Sequence, residues 1–589
     1  MMKRHNRWLW GPAVAAAAGA WHYLDVRAGA AESGDLWLTA PYLWLLAAVT
    51  AGLGGLGYAL TAGESGAGGK RAGGGERGGG KTGAGQEPKE QGRRRKQRGG
   101  SRPLEKVYLF AGLFLGILYL LVLPPLSAPD EISHYVSAYQ LSSRMLGRPS
   151  NSVTGHVLVR LEDKWLEDVG DDYRYETGED GYLRPVAETT ENSRFLGKTL
   201  TEETYRIIRE TGISGRRCPA AATIRESGGQ EPLAVSVYPP VVTTPAAYIP
   251  QALGILLARL LNLNSICLLY MGRLFNLLFF VAMTYFSIKR LPFGKEVLLG
   301  VALLPMTLHL SASFSYDVMI MGCMFYLTAV CLDLAWNREK VRPLDVAVLA
   351  LLMAAAGPCK MVYGALMGLC LLIPVKKFGG WRQWTVSAAA VALGFGLAMA
   401  AVNGHLLVSY ATETGGTVSG VAEAGYSLSL LLHRPLLLAR MFYQTVLWQA
   451  EQYHMSMIGA WLGGLDQVLD VPYVVVILFT AALLCLAAKK PGETLPMPLG
   501  ARVWVWILCA ACAGATMLSM LIAVTPLGSP VIGGVQGRYF LPFLPVLLIS
   551  LKNDFIILTK NSNRSILYLM CCADGYVVLR LYSIVSMRL

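Results

Sequence analysis

Apolar runs of about 20 residues recur along almost the whole chain, and they constrain its fold more than any other feature of the sequence. A helix of about 20 apolar residues crosses the hydrocarbon of a bilayer, and in lipid only helices or closed barrels satisfy every backbone hydrogen bond. Only 15% of the 589 residues are charged, and the mean hydropathy is +0.42. The sequence therefore predicts an all-α integral membrane protein, a polytopic helical bundle with about 13 transmembrane helices.

The two longest polar segments carry opposite charge, and this difference orients the predicted bundle. Residues 64–106 contain 12 Lys and Arg against 5 Asp and Glu, whereas residues 126–237 contain 13 against 18. Because cationic loops stay in the cytoplasm, the first segment is predicted to be cytoplasmic and the second extracytoplasmic. Membrane topology therefore accounts for the formal net charge of +13, and no nucleic-acid partner is expected.

The chain divides into three predicted regions. Residues 1–62 form an N-terminal transmembrane hairpin whose two ends are cytoplasmic, with a cleaved signal peptide as the alternative for the first apolar run. Residues 63–106 form a basic, Gly-rich cytoplasmic linker. Residues 107–589 form the membrane domain, and its large first extracytoplasmic loop, 126–265, contains interfacial helices, one of them at 239–263.

The apolar runs of the membrane domain cross alternately outward and inward. In this arrangement every cationic cluster lies on the cytoplasmic side, including those at Lys289, Arg338, Lys376 and Lys489. The predicted spans are residues 107–125, 266–288, 297–312, 318–336, 346–356, 362–375, 386–408, 474–488, 503–524, 539–551 and 566–585.

The first polar motif follows the first span of the membrane domain, where Pro129 can begin a new helix. On that helix Asp130 and His134 share a face. A carboxylate at this place could deprotonate an acceptor hydroxyl, with Glu131 or His134 tuning or sharing the work. The alternative is that the carboxylates only satisfy backbone N–H groups at the helix start.

Three further motifs place charges at the same predicted face. Asp317 lies between two apolar runs, where it could contact a donor or a metal ion, or cap the helix that follows. Lys360 and Arg538 are cations on the outer side, where an anionic ligand suits them, and Arg offers a bidentate phosphate contact. Snorkelling to lipid headgroups is the alternative for Arg538. We expect Asp130, Asp317, Lys360 and Arg538 to line one outward-opening cavity.

Seven short motifs in one order carry a resemblance between about residues 107 and 551. They are PDExxH at 129–134, YIPQALG at 248–254, GRLFN at 272–276, LPM at 304–306, SYD at 315–317, KxxY at 360–363 and QGRY at 536–539. Together they resemble the bacterial membrane family called domain of unknown function 2142. That family in turn resembles the C-type (GT-C) glycosyltransferases, multi-helix enzymes that use sugars carried on polyprenyl phosphate.

The resemblance implies a GT-C-like core of about 11 of the predicted helices. It implies transfer of a sugar from a polyprenyl-phosphate donor to an envelope glycan or lipid acceptor, at the extracytoplasmic face of a bacterial plasma membrane. Asp130 would be the general base with Glu131 as its neighbour, and Arg538 with Lys360 would contact the donor phosphate. The other expected substrate contacts are His134, Asp317, Tyr363, Gln536 and Tyr539.

No cofactor is required by the sequence. The eleven cysteines lack metal-ligand spacing, and only Cys218 lies in the first outer loop, so neither a zinc site nor a disulfide framework is predicted. A divalent metal that joins Asp130 or Asp317 to the phosphate is left open. The alternative functions are a transporter or flippase of lipid-linked saccharides and a noncatalytic protein of envelope assembly. Transporters place ionisable groups near the midplane between repeated halves, whereas the polar motifs here cluster at one face.

Overall fold

A computed structural model describes most of the membrane domain and the N-terminal hairpin. The predicted linker at 63–106 lies almost wholly outside the described residues, and Cys218 also lies outside them. The described ranges are 9–34, 36–61, 103–124, 127–168, 174–177, 183–186, 233–241, 243–412, 416–417, 424–462, 469–494 and 497–587.

The described chain is overwhelmingly helical, which confirms the predicted all-α polytopic architecture. Short 3-10 helices occur at Leu36–Leu38, Pro245–Tyr248, Met361–Leu372, Val375–Phe378 and Gly537–Phe540. The α-helices are α1 Trp10–Ser33, α2 Thr39–Thr61, α3 Leu104–Val122, α4 Glu131–Met145, α5 Leu161–Asp168, α6 Ile249–Leu260, α7 Ser265–Arg290, α8 Lys295–Ala302, α9 Pro305–Ser311, α10 Asp317–Trp336, α11 Pro343–Ala356, α12 Trp381–Thr412, α13 Leu428–His433, α14 Pro435–Ile458, α15 Tyr473–Ala487, α16 Leu499–Val524, α17 Leu544–Ser550 and α18 Asn563–Met587.

Seven helices in the described residues are long and apolar enough to cross a membrane. Helix α10 is the most buried of them and lies at the centre of the bundle, whereas α12 is mostly exposed. Three shorter apolar helices, at Pro343–Ala356, Met361–Leu372 and Tyr473–Ala487, fall where the sequence predicted spans. The total of about 13 spans therefore stays a prediction.

Two predicted spans are broken in the structure, and proline explains both breaks. The run at 297–312 divides into α8 and α9 because Pro305 has no N–H to donate and holds Leu304 in an extended conformation, with φ −67° and ψ 142°. The run at 539–551 begins as the 3-10 helix Gly537–Phe540 and continues as α17, with proline in its first turn. The run at 362–375 is a 3-10 helix for most of its length.

The N-terminal hairpin packs against the C-terminal helix. The hydroxyl of Tyr582 in α18 donates to the carbonyl of Leu38 at 2.7 Å, and the hydroxyl of Tyr42 joins α2 to Gly19 of α1 at 2.8 Å. A Cβ atom at Gly52 of α2 would lie 2.0 Å from the ring of Phe114 in α3, so a larger residue there would require the Phe114 ring to move. The first two helices are therefore built into the bundle.

The first loop contains a small sheet that the sequence did not predict. Its strands are β1 Leu158–Arg160, β2 Arg174–Thr177, β3 Leu183–Val186 and β4 Leu233–Val235, in the order β1-β4-β3-β2. Strand β1 pairs antiparallel with β4, and β3 meets β4 in parallel. A second pair, β5 Gly416–Thr417 and β6 Ala424–Gly425, precedes α13 and the long helix α14 in the predicted second outer loop.

Candidate functional site

Asp130 immediately precedes α4, and its backbone adopts an uncommon conformation. Its φ of 57° and ψ of 15° lie in the left-handed region, which Asp tolerates better than most side chains. The turn buries the next residue, Glu131, while the Asp130 side chain remains 69% exposed. The carboxylate of Asp130 therefore faces outward from the start of the helix.

Four charged side chains from distant parts of the sequence meet beside this turn. Arg538 Nη2 lies 3.4 Å from Asp130 Oδ2, and Arg538 Nε lies 3.7 Å from Asp317 Oδ2. Lys360 Nζ donates to Asp317 Oδ1 at 2.6 Å. The structure thus brings Asp130, Asp317, Lys360 and Arg538 into one cluster, in which Asp317 and Arg538 are buried and Asp130 is exposed.

The two cations differ in how fully they are bound. Lys360 has a short ion pair with Asp317, and its Nζ also lies 4.0 Å from the ring centroid of Tyr539 and 5.0 Å from that of Tyr316. Arg538 has only long contacts to the aspartates, and its Nε and Nη1 are buried and make no hydrogen bond within the described part of the chain. An anion could replace these weak contacts with short ones.

Electrostatics keep both cations charged. Burial opposes the charge of Lys360, but the carboxylate of Asp317 and the neighbouring tyrosines hold the pKa of Lys360 above its usual value. Burial likewise opposes the charge of Arg538, and Tyr539 with the two aspartates raises the pKa of its guanidinium. The cluster therefore contains two fixed positive charges at neutral pH.

His134 lies behind the charged cluster as a neutral imidazole. Burial lowers the pKa of His134 to about 4, and the nearby Asp317 and Asp130 carboxylates only partly offset that effect. Its Nδ1 is 2.7 Å from the hydroxyl of Tyr248, and its ring meets that of Tyr316 edge to face with centroids 4.9 Å apart. His134 is thus held in place by two aromatic side chains.

Glu131 makes a buried ion pair on the inner side of the same turn. Arg273 of α7 donates to it in a bidentate manner, at 2.8 Å from Nε and 2.6 Å from Nη2. The backbone N–H groups of Ala128 and Phe314 also donate to Glu131, at 3.1 and 2.9 Å. All four contacts occupy the carboxylate, and this geometry fits a positioning role for Glu131. The catalytic role expected for Glu131 beside Asp130 stays a prediction.

Amide side chains hold the segment that leads into Asp317. Asn276 Nδ2 donates to the carbonyls of Ser313 and Ser315 at 2.7 and 3.1 Å. Gln251 Nε2 donates to the carbonyl of Phe314 at 3.2 Å. The motifs at 248–254 and 272–276 therefore converge on residues 313–315, and they fix the start of α10, where Asp317 lies.

The segment that carries Arg538 is fixed against α14. The N–H of Gly537 donates to Ser456 Oγ at 2.9 Å, and a Cβ atom at Gly537 would lie 1.9 Å from the carbonyl oxygen of Tyr453. Only glycine permits so close an approach of the two backbones. The residue after Arg538, Tyr539, is also held in place, because the hydroxyl of Tyr363 donates to its backbone carbonyl at 2.8 Å. The backbone N–H of Tyr539 donates to the backbone carbonyl of Gln536, which is half-buried.

The donor set does not fit a resident metal ion. In the described ranges no three His, Cys, Asp or Glu side chains form a group that could hold one. The two aspartates of the cluster each face a cation instead.

Three further side chains of the site, Arg273, Tyr248 and Tyr316, lie within motifs whose pattern alone indicates no role for them. Arg273 is a charge inside a long apolar run, and such a charge needs a partner of opposite sign within the bundle. Tyr248 and Tyr316 belong to two of the quoted motifs, but their contacts depend on how separate segments of the chain meet. Burial of Arg273 against Glu131 could have been sought from the sequence, whereas the aromatic contacts could not.

The fold and the cluster define a multi-pass membrane protein with a set of paired charges at one end of its bundle. Comparison with known proteins gives the family: the chain belongs to the family described as "Predicted membrane protein (DUF2142)", which matches residues 113–547. This match confirms the resemblance drawn from the seven motifs. No curated protein and no solved structure matches the chain. The hairpin, the whole linker and α18 lie outside the matched residues.

Proposed function

We propose that this protein is a membrane glycosyltransferase that moves a sugar from a polyprenyl-phosphate donor to a hydroxyl of an envelope glycan or lipid. One observation carries the proposal: an exposed carboxylate, that of Asp130, lies next to the buried guanidinium of Arg538, whose Nε and Nη1 make no hydrogen bond in the described structure. A base and an anion-binding group at this separation suit a displacement in which a phosphate leaves.

The proposed step is a direct displacement with inversion. Asp130 accepts the proton of the acceptor hydroxyl, the oxygen of that hydroxyl forms a bond to the anomeric carbon, and the bond from that carbon to the phosphate oxygen breaks. The electron pair leaves with polyprenyl phosphate, which gains one negative charge. Arg538 and Lys360 stabilise this charge, so no acid is needed to protonate the leaving group.

The other residues of the site act around these three. Asp317 holds Lys360 in place through the 2.6 Å contact, and Tyr539 covers both cations. Tyr363 positions Tyr539 through its backbone carbonyl. We propose that His134 and Gln536 contact the substrate, His134 as a neutral hydrogen-bonding group.

The distribution of charge supports an extracytoplasmic location for the site. Helix α10 begins at Asp317 in the cluster, and Asp333 near its other end pairs with Arg290 at 3.2 Å and Arg338 at 3.1 Å. Sixteen residues of helix separate the two aspartates by about 24 Å, which is close to the thickness of the hydrocarbon. If the end rich in cations is cytoplasmic, the cluster lies at the opposite face.

The test is release of polyprenyl phosphate from a panel of polyprenyl-phosphate sugars by the purified full chain in lipid nanodiscs, with glycan and lipid acceptors that carry free hydroxyls present. Asp130→Asn should lower the rate at least about 100-fold while donor binding is retained, because an amide cannot accept the proton. Asp470→Asn is the matched control, since Asp470 is also predicted to lie outside but pairs with Arg580 at 2.9 Å, away from the cluster.

A different outcome would favour the transporter. If the wild-type chain transfers no sugar from the whole panel but moves the lipid-linked sugar between leaflets of a vesicle, the proposed transferase is refuted. Equal transfer by wild type and Asp130→Asn would refute only the role of Asp130 as the base, and the proposed transferase activity would stand.

A further inference from the structure

A groove on the opposite half of the bundle has no place in the proposed reaction. It has a volume of about 220 Å³ and lies between the first turns of α11, the first turns of α12 and the end of the 3-10 helix Met361–Leu372. Its lining is apolar apart from Ser387, and includes Leu349, Leu371, Trp384 and Val391. Ala388 and Ala392 line it and are also exposed, so the groove opens at the side of the bundle.

The groove is suited to hydrocarbon rather than water. Apolar cavities of about 150 Å³ stay dry and bind small hydrocarbons, because a water molecule needs two to four polar partners. An empty groove would also leave its lining without dispersion contacts on one side. At this position in a membrane the available hydrocarbon is a lipid chain.

Two exposed cations lie close in sequence to lining residues of the groove, at the end that is predicted to be cytoplasmic. Phe378 and Trp384 line it, and the exposed side chains of Lys376 and Arg382 stand two residues before them. The neighbouring carboxylate, Asp345, is already bound by Arg290 at 2.6 Å. Trp381 lies edge to face against Trp384, 5.3 Å away, and tryptophans of this kind occur at the headgroup level.

We propose that this groove binds one acyl chain of an anionic phospholipid, whose headgroup contacts Lys376 and Arg382. Each cation near an anionic headgroup favours binding, and the apolar lining holds the chain. The proposal concerns the face opposite to the charged cluster, and it does not depend on the proposed transferase activity.

The test uses the purified, delipidated full chain in detergent, to which phosphatidylglycerol or phosphatidylcholine with oleoyl chains is added. Native mass spectrometry should show phosphatidylglycerol bound at least tenfold more tightly than phosphatidylcholine. Ala388→Phe fills the groove and should weaken this binding at least tenfold. Ala389→Phe, at a neighbouring exposed position that does not line the groove, is the matched control and should bind like wild type.

The charges are tested separately by the double substitution Lys376→Gln and Arg382→Gln, which should remove the preference for phosphatidylglycerol. Should Ala388→Phe fail to fold, fluorescence gives a second measurement. Phosphatidylglycerol with brominated acyl chains should quench wild type more than Trp384→Phe, because Trp384 lines the groove. Equal binding of the two lipids, equal effects of the two phenylalanine substitutions, or no difference in quenching would each overturn the proposal.

Discussion

Asp130 and Glu131 are neighbours in the chain, and we predict that replacing each carboxylate with its isosteric amide has a different effect. Glu131→Gln should lower the stability of the protein, whereas Asp130→Asn should lower sugar transfer. Glu131 is buried, and its carboxylate accepts four hydrogen bonds: two from Arg273 and one each from the N–H groups of Ala128 and Phe314. In Glu131→Gln the amide keeps one acceptor oxygen and turns its NH₂ group towards donors. The Arg273 guanidinium then remains buried without a counter-charge, which costs about 3–5 kcal/mol.

Asp130→Asn should leave stability almost unchanged. The side chain is mostly exposed, and its contact with Arg538 is long. The effect on the free energy of unfolding should stay within about 0.5 kcal/mol, the usual range for a surface substitution. Its expected effect is on sugar transfer instead, because the carboxylate is the proposed base.

The assay compares the apparent melting temperature of both variants in detergent with their transfer rates per folded molecule. Glu131→Gln should melt well below wild type, and adding Arg273→Gln should cost less than the two single effects combined, because no buried charge is then left unpaired. A Glu131→Gln variant that melts like wild type would refute the assignment of Glu131 to positioning. A large loss of stability in Asp130→Asn would refute the assignment of Asp130 as an exposed, weakly bound carboxylate.

Three further predictions concern the remaining groups of the site. Arg538→Lys should lower transfer at least about tenfold, with a smaller change in melting temperature, because Lys keeps the charge but loses the bidentate geometry; unchanged kinetics would exclude a phosphate contact. Because the folded protein holds the pKa of His134 at about 4 and an unfolded His titrates near 6.5, the unfolded chain binds more protons between these values, so stability should fall as the pH drops from about 6.5 to 4. Melting curves of His134→Gln should show a weaker fall over that range, and an identical fall would place its cause elsewhere. Gly537→Ala should abolish transfer and lower the melting temperature, because its Cβ would collide with the Tyr453 carbonyl, whereas Gly500→Ala, at an open position in the first turn of α16, should keep the transfer activity, as comparison of both variants by transfer assay would show.

The long apolar runs predicted most of the helices because their length and composition leave few alternatives in lipid. The span predicted at 266–288 is α7, and that predicted at 318–336 is α10, within a few residues. The small sheet in the first loop could not be predicted in the same way. Its strands have three or four residues, too few to show alternation, and β1 pairs with β4 across more than 70 residues of chain.

The sequence predicted which charged residues form the site, but it did not predict how their side chains are arranged. Asp130 and Arg538 are 408 positions apart, and only the expectation that both lie at outer helix ends brought them together. No pattern distinguishes the exposed Asp130 from the buried Glu131, because the left-handed turn at Asp130 decides which carboxylate enters the bundle. The separate roles of two adjacent acids therefore needed three-dimensional information.

The charge balance of the cluster connects donor binding to the proposed base. Without a donor, two aspartates and two cations neutralise each other, and Arg538 occupies Asp130 Oδ2. Phosphate is a stronger partner for a guanidinium than a carboxylate at 3.4 Å, since it can accept two short, parallel hydrogen bonds. In the proposed reaction the donor therefore takes Arg538 away from Asp130, and the freed oxygen can accept the acceptor's proton. The base then becomes free only when a donor is in place, which disfavours deprotonation of an acceptor that has nothing to attack.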